Sequence, residues 1–231
     1  MDSFSRYARQ IELSGFGKVG QEALAKATVA LIGVGGVGAG ALPLLVSSGI
    51  GRIIVVDSDI VSESNLHRQT IYSNEDIGKK KALAASDFAK KHNPNLKVEA
   101  ITQRIDSLSL AEKIIADCDF CIDATDSFAT RILVSDACKR LAVHLIMASA
   151  EGYVAQNIFC GGNFYLDSVL SLTESESAKS LPIFPAAAHL SGVWAAGEAI
   201  AVLAKLRNLN AGRIKKFDFK KGSNPYFEVE L

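Results

Sequence analysis

An excess of charge of either sign is the first thing this chain lacks: 25 Lys and Arg stand against 25 Asp and Glu, and the formal net charge is zero. Nucleic-acid binders and membrane-surface proteins carry a broad basic footprint, so neither nucleic acid nor membrane is expected as a partner. Cysteine is scarce, with Cys118, Cys121, Cys138 and Cys160 the complete set. No basic-then-apolar leader opens residues 1–10. Both features point to a reducing compartment, and the expected location is the cytoplasm. Repeats and low-complexity linkers are also missing. A composition of 48% hydrophobic and 22% charged residues excludes disorder and collagen-like repetition and is enough for a sizeable core.

One run has no charge at all. Residues 27–51 are long enough to cross a bilayer, but they contain seven glycines and Pro43. Residues 28–32 read as a buried strand that breaks at the first glycine, so the run parses as strand, glycine turn and apolar helix. The same alternation continues along the chain. Strands are expected at 28–32, 52–57, 97–102, 120–123 and 144–149, and helices at 38–48, 79–92, 110–116, 129–141 and 189–207. This pattern predicts a doubly wound α/β fold, a mostly parallel Rossmann-like sheet with helices on both faces. Beyond residue 152 the alternation weakens, and 153–160, 213–219 and 225–231 read as an antiparallel extension. The expected organisation is a single domain: a helical arm at 1–26, a nucleotide-binding core at 27–150, and a substrate-side extension at 151–231. Residues 171–180 are polar, small and helix-poor, and 171–184 is expected to be a mobile loop, either a plain connector or a flap over substrate.

The strongest local signal is Gly33-Val34-Gly35-Gly36-Val37-Gly38, placed between a strand and a helix. Such a turn lets backbone approach phosphates and aims free amides at them, with the helix N-terminus adding favourable partial charge. Asp57 ends the next strand, where an acid takes ribose hydroxyls. These residues indicate a nucleotide without saying which. The segment that follows, Asp57-Ser58-Asp59, then Asn65-Leu66-His67-Arg68-Gln69, then Gly78-Lys79-Lys80-Lys81, favours ATP over a nicotinamide cofactor. A dinucleotide's pyrophosphate is already served by the glycine turn, whereas Asn65, Arg68 and Lys81 suit a triphosphate whose charge must be stabilised during transfer.

With these residues in view, the chain resembles the ubiquitin-activating-enzyme-like adenylyltransferases of the ThiF, MoeB and HesA type. The resemblance runs from Arg6-Tyr7-Ala8-Arg9-Gln10 through the glycine turn and Ser64-Asn65-Leu66-His67-Arg68-Gln69 to Asp123-Ala124-Thr125-Asp126. It implies Mg-ATP-dependent adenylation of a C-terminal carboxylate, that of a small ubiquitin-fold sulfur carrier ending in diglycine, with release of pyrophosphate. Under it the nucleotide-binding set is Gly33, Gly35, Gly36, Gly38, Asp57, Asp59, Asn65, Arg68, Gln69 and Lys81. Arg68 and Lys81 are also catalytic by charge, Asp126 is the acid associated with magnesium, and Arg9 reaches across a homodimer into the partner's site.

Three departures accompany the resemblance. Many relatives bind zinc through two Cys-x-x-Cys pairs; here the one pair, Cys118 and Cys121, enters a predicted strand whose alternation points its thiols to opposite faces, so no zinc is expected. The loop at 173–184 has no cysteine for a covalent transfer step. Ser127 stands where the family commonly has Asn. His144 and His189 read as structural histidines, His92 as a surface one, and Glu198, in an otherwise apolar helix, as a paired acid. Two further readings remain beside the adenylyltransferase: a non-catalytic nucleotide-binding partner subunit, and an NAD-dependent oxidoreductase that leaves Arg9, Asn65, Arg68 and Lys81 without a role.

Overall fold

Thr28–Ile32 (β1) is buried at every position, so both faces of the sheet it belongs to must be covered. Its alternation divides the core in two: Val29 and Leu31 join one cluster, Ala30 and Ile32 the other. Arg52–Val56 (β2) and Phe120–Asp123 (β4) pair parallel to β1 on opposite sides. Lys97–Ile101 (β3) lies outside β2, and His144–Glu151 (β5) lies parallel beyond β4. Three antiparallel strands complete the sheet, Val154–Cys160 (β6), Arg213–Asp218 (β7) and Tyr226–Glu230 (β8), in the order β3-β2-β1-β4-β5-β6-β7-β8. The computed structural model describes residues 5–166 and 182–230.

Short helices Ala8–Ile11 (α1) and Gly17–Lys26 (α2) precede β1. Gly36–Ser48 (α3), Lys81–His92 (α4) and the long Pro185–Leu203 (α7) cover one face of the sheet; Leu108–Ile115 (α5) and Phe128–Leu141 (α6) cover the other. Residues 27–51 are thus buried strand, turn and helix. α7 lies directly on α3. A Cβ at Gly192 would sit 1.9 Å from the Val37 carbonyl oxygen, so only glycine permits that approach.

Several helix starts differ from the expected ones for local reasons. α3 begins at Gly36 because Gly35 takes the N-cap position. α4 begins at Lys81 because Lys80 is extended and bridges Ile60. α7 begins at Pro185, where a missing N–H costs nothing, and Lys205, at φ 61°, lies just past its end.

The opposite-face reading of Cys118 and Cys121 is incorrect. β4 starts only at Phe120, and Cys118 sits in the turn closing α5, its amide donating to Ile115 O. Strand alternation therefore does not apply to it, and both thiols enter the cluster beneath α5 and α6, where Cys121 meets Cys138. Glu198 is paired as expected, with Arg207 and Lys215. Of the 171–184 loop, all but the last three residues lie outside the described residues; Ile183 bridges Gly152.

Candidate functional site

β1 is the strand at which the winding of the sheet reverses, and open α/β sheets bind ligands beyond the carboxyl ends of the strands there. A cleft of about 2020 Å³ occupies that place. Gly33, Gly35, Gly36, Asp57, Asp59, Asn65, Arg68, Gln69, Lys81 and Asp126 all line it. Gly38 does not: a Cβ there would meet the Gly33 carbonyl oxygen at 2.2 Å, so it closes the turn from behind. At Gly33, φ is +88° and a Cβ would lie 2.9 Å from the backbone of Ala124. Any other residue would push the turn away from the loop after β4. The opening amides of α3 have no acceptor within the helix, and they border the cleft.

Asp57 braces this turn. One carboxylate oxygen accepts the Val34 amide and the other the Asp59 amide, each at 2.9 Å. Burial pushes its carboxyl above the usual range, while the two amides and Lys81 act in the opposite sense. Lys81 is buried, with its ammonium 3.1 Å from Asp59 Oδ2. Asp59 therefore reaches the cleft chiefly by fixing the lysine. Tyr72 adds a support that the sequence pattern does not announce: its hydroxyl donates to Val34 O at 2.9 Å, and burial raises its pKa, so it stays a donor.

Asn65 closes a capping box with Ser62, its Oδ1 accepting the Ser62 amide. Arg68 donates to Ser64 O at 3.1 Å, and its own carbonyl accepts from His189 Nε2 at 3.0 Å. Gln69 is buried, and its Oε1 has no partner among the described residues.

The opposite wall is the loop after β4. Asp123, fully buried, accepts the Thr125 amide at 2.9 Å and the Thr125 hydroxyl at 2.7 Å on Oδ1, while Oδ2 has no partner among the described residues. Burial raises its carboxyl above the ordinary range, and Arg131 is the largest opposing influence. Arg131 grips the same loop from α6, donating to Thr125 O through Nε at 3.0 Å and through Nη2, which also reaches Ala148 O. Asp126, held between these anchors, is exposed on the cleft wall. It is not the helix cap. Ser127 is, accepting the Thr130 amide, and since Ser and Asn cap equally well, the departure at 127 preserves the local geometry.

Arg9 lies away from the cleft. Its side chain is 95% exposed and pairs with Glu12. Its neighbour Gln10 donates to Ser48 O at the far end of α3, about 20 Å from the glycine turn at 1.5 Å per residue. Conversely, Arg104, Arg131, Gln156 and Lys216 line the cleft, although no short motif marked them. Arg131 falls three residues beyond Phe128, and a helix-face reading of α6 would have found it.

These residues fit a magnesium nucleotide. The turn is open to phosphates, the buried Gln69 Oε1 on the cleft wall has no partner among the described residues, and Arg68, Lys81, Arg104 and Arg131 supply positive charge. Asp126 offers the hard carboxylate oxygen that magnesium prefers.

Comparison with known proteins gives a consistent result. The ThiF family model matches residues 7–231. The sulfur carrier protein adenylyltransferase of Thermus thermophilus is 42% identical over 155 residues, 67% of this chain and 57% of its own length. The SAMP-activating enzyme E1 of Haloferax volcanii is 38% identical over 65% of this chain and 56% of its own length. A probable molybdopterin-synthase adenylyltransferase of Porphyra purpurea is 32% identical over 94% and 59%. The chain thus spans a little over half the length of each. Among solved structures, E. coli MccB with MccA-N7isoASN superimposes with a TM-score of 0.88 over 100% of this chain and 72% of that one, at 20% identity, a likeness of fold.

Proposed function

The chain belongs to the ThiF family, and from that premise we propose that it is an ATP-dependent adenylyltransferase acting on the C-terminal carboxylate of a small ubiquitin-fold sulfur carrier. In the reaction a carboxylate oxygen of the carrier attacks the α-phosphorus of ATP. The bond from that phosphorus to the bridging oxygen breaks, pyrophosphate leaves with its electron pair, and an acyl adenylate forms.

No protein nucleophile is required, so the chain contributes position and charge. The amides opening α3 receive phosphate oxygens, and Asp57 holds the ribose with the oxygen lone pairs left free by its two amide bonds. Arg68 and Lys81 stabilise charge passing to the leaving pyrophosphate, and Asn65 and Gln69 complete the phosphate side. Magnesium, when bound, neutralises phosphate charge, and Asp126 would hold it. The carrier's tail would enter beside Gln156 and Lys216. Arg9, too far from its own cleft, would act in the partner's site of a homodimer. A cytoplasmic location fits such a reaction.

The observation that carries this reading is the buried Lys81 ammonium, held by Asp59 on the wall of a cleft that already has a glycine turn. A nicotinamide site has no use for it. Isothermal titration with Mg-ATP and with NAD decides between the two: micromolar ATP affinity without NAD binding is expected, and NAD binding without ATP affinity overturns the reading.

A further inference from the structure

We propose that His189 is a positioning residue for Arg68, setting the path of the phosphate-binding segment from the first turns of α7. The proposal rests on the adenylyltransferase reading for its consequence and on geometry alone for its cause. His189 Nε2 lies 3.0 Å from the Arg68 carbonyl oxygen, across 121 positions of sequence. A carbonyl only accepts, so the imidazole proton sits on Nε2. Arg68 lies in a stretch with neither helix nor strand, between the 3₁₀ turn Glu63–Asn65 and Tyr72. Among the described residues, no backbone amide bonds to its carbonyl. His189 therefore restrains the one peptide group that sets where the Arg68 side chain leaves the backbone.

The donor itself is rigidly based. A Cβ at Gly40 would lie 2.6 Å from His189 O, and one at Gly36 would touch both Ala188 Cβ at 3.2 Å and Arg68 Cγ at 3.3 Å. The start of α3, the Arg68 segment and the first turns of α7 thus meet with no slack. Two residues on, fully buried Ser191 donates to Asn157 Oδ1 at 2.7 Å, and Asn157 Nδ2 returns a bond to Ser191 O at 3.1 Å. These bonds tie α7 to β6, so the histidine cannot follow Arg68 if that segment drifts. It holds the segment in register with the glycine turn.

The test compares the intact protein with His189→Leu, which removes the donor, and His189→Gln, whose Nε2 reaches the same carbonyl. Hydrogen exchange of residues 66–72 reads the geometry, and carrier-dependent pyrophosphate exchange into ATP reads the consequence. For His189→Leu, faster amide exchange confined to that segment is expected, with kcat lower by about 10- to 100-fold and thermal stability nearly unchanged, whereas His189→Gln should recover to within about 3-fold. Should His189→Leu not fold, His189→Ala carries the same comparison. Unchanged amide exchange, unchanged kcat, or a Gln variant as poor as Leu overturns the proposal. If the wild-type protein catalyses no exchange, the functional reading fails by itself, and amide exchange of 66–72 alone then upholds or overturns the positioning of Arg68.

Discussion

The Lys81 ammonium lies 3.1 Å from the Asp59 carboxylate, 22 positions earlier, with the lysine side chain 8% exposed and the aspartate 64%. The pair is asymmetric. Asp59 stays hydrated without its partner, but Lys81 loses its anchor without Asp59. The charge it presents to the cleft is then free to move.

Asp59→Asn is therefore expected to lower kcat/KM for ATP by roughly 10-fold with little effect on melting temperature, because it misplaces a charge without emptying the core. Lys81→Met, which deletes the charge, should cost on the order of 100-fold or more. Pyrophosphate-exchange kinetics separate the two. An Asp59→Asn variant as active as the wild type would make the pairing incidental.

Asp126→Ala removes an exposed carboxylate from a loop whose shape is held by Asp123, Ser127 and Arg131. Activity should fall by on the order of 100-fold or more while the thermal midpoint stays put. Activity near wild type would remove Asp126 from the mechanism.

Asp123 predicts a pH effect of definite sign. Burial raises its carboxyl in the folded protein, so the folded state binds the proton more tightly than the unfolded one. The stability this contributes is complete below the ordinary carboxylate pKa of about 4 and is lost as pH rises through the higher folded value. Asp123→Asn cannot ionise. Its thermal midpoint should therefore lose less than that of the wild type between pH 4 and pH 7, as differential scanning calorimetry without nucleotide can show. Parallel profiles would mean that Asp123 titrates normally.

Arg9, placed at the opposite end of α3 from its own cleft, should work only across a dimer. Arg9→Ala and Asp126→Ala homodimers are each expected to be nearly inactive. Mixing them creates heterodimers in which one of two sites has both residues intact, so about a quarter of wild-type activity should return if sites act independently. No recovery despite demonstrated subunit exchange would exclude Arg9 from action in trans.

Much of this was legible in the residues themselves. The run from β1 through the glycine turn to Asp57 is local, and each part follows from strand burial, glycine conformations and helix-start chemistry. The antiparallel extension was visible because the strand–helix alternation stops after residue 152. What escaped were contacts between segments distant in sequence. His189 reads as a structural histidine until α7 is laid on α3, and Arg131 as an ordinary helix residue until α6 is set against the loop after β4. Cys118 misled for a local reason: it lies in the turn that precedes the strand at Phe120, so its thiol follows a turn and not an alternation.

If this cleft activates a carboxylate with ATP, the protein exchanges labelled pyrophosphate into ATP. The probes are ubiquitin-fold sulfur carriers ending in Gly-Gly, each also prepared without its last two residues. Magnesium-dependent exchange is expected with at least one intact carrier, none with its truncated form, and loss of the signal in Lys81→Met. ATP bound tightly with no exchange for any carrier would contradict it and leave a nucleotide-binding subunit without catalysis.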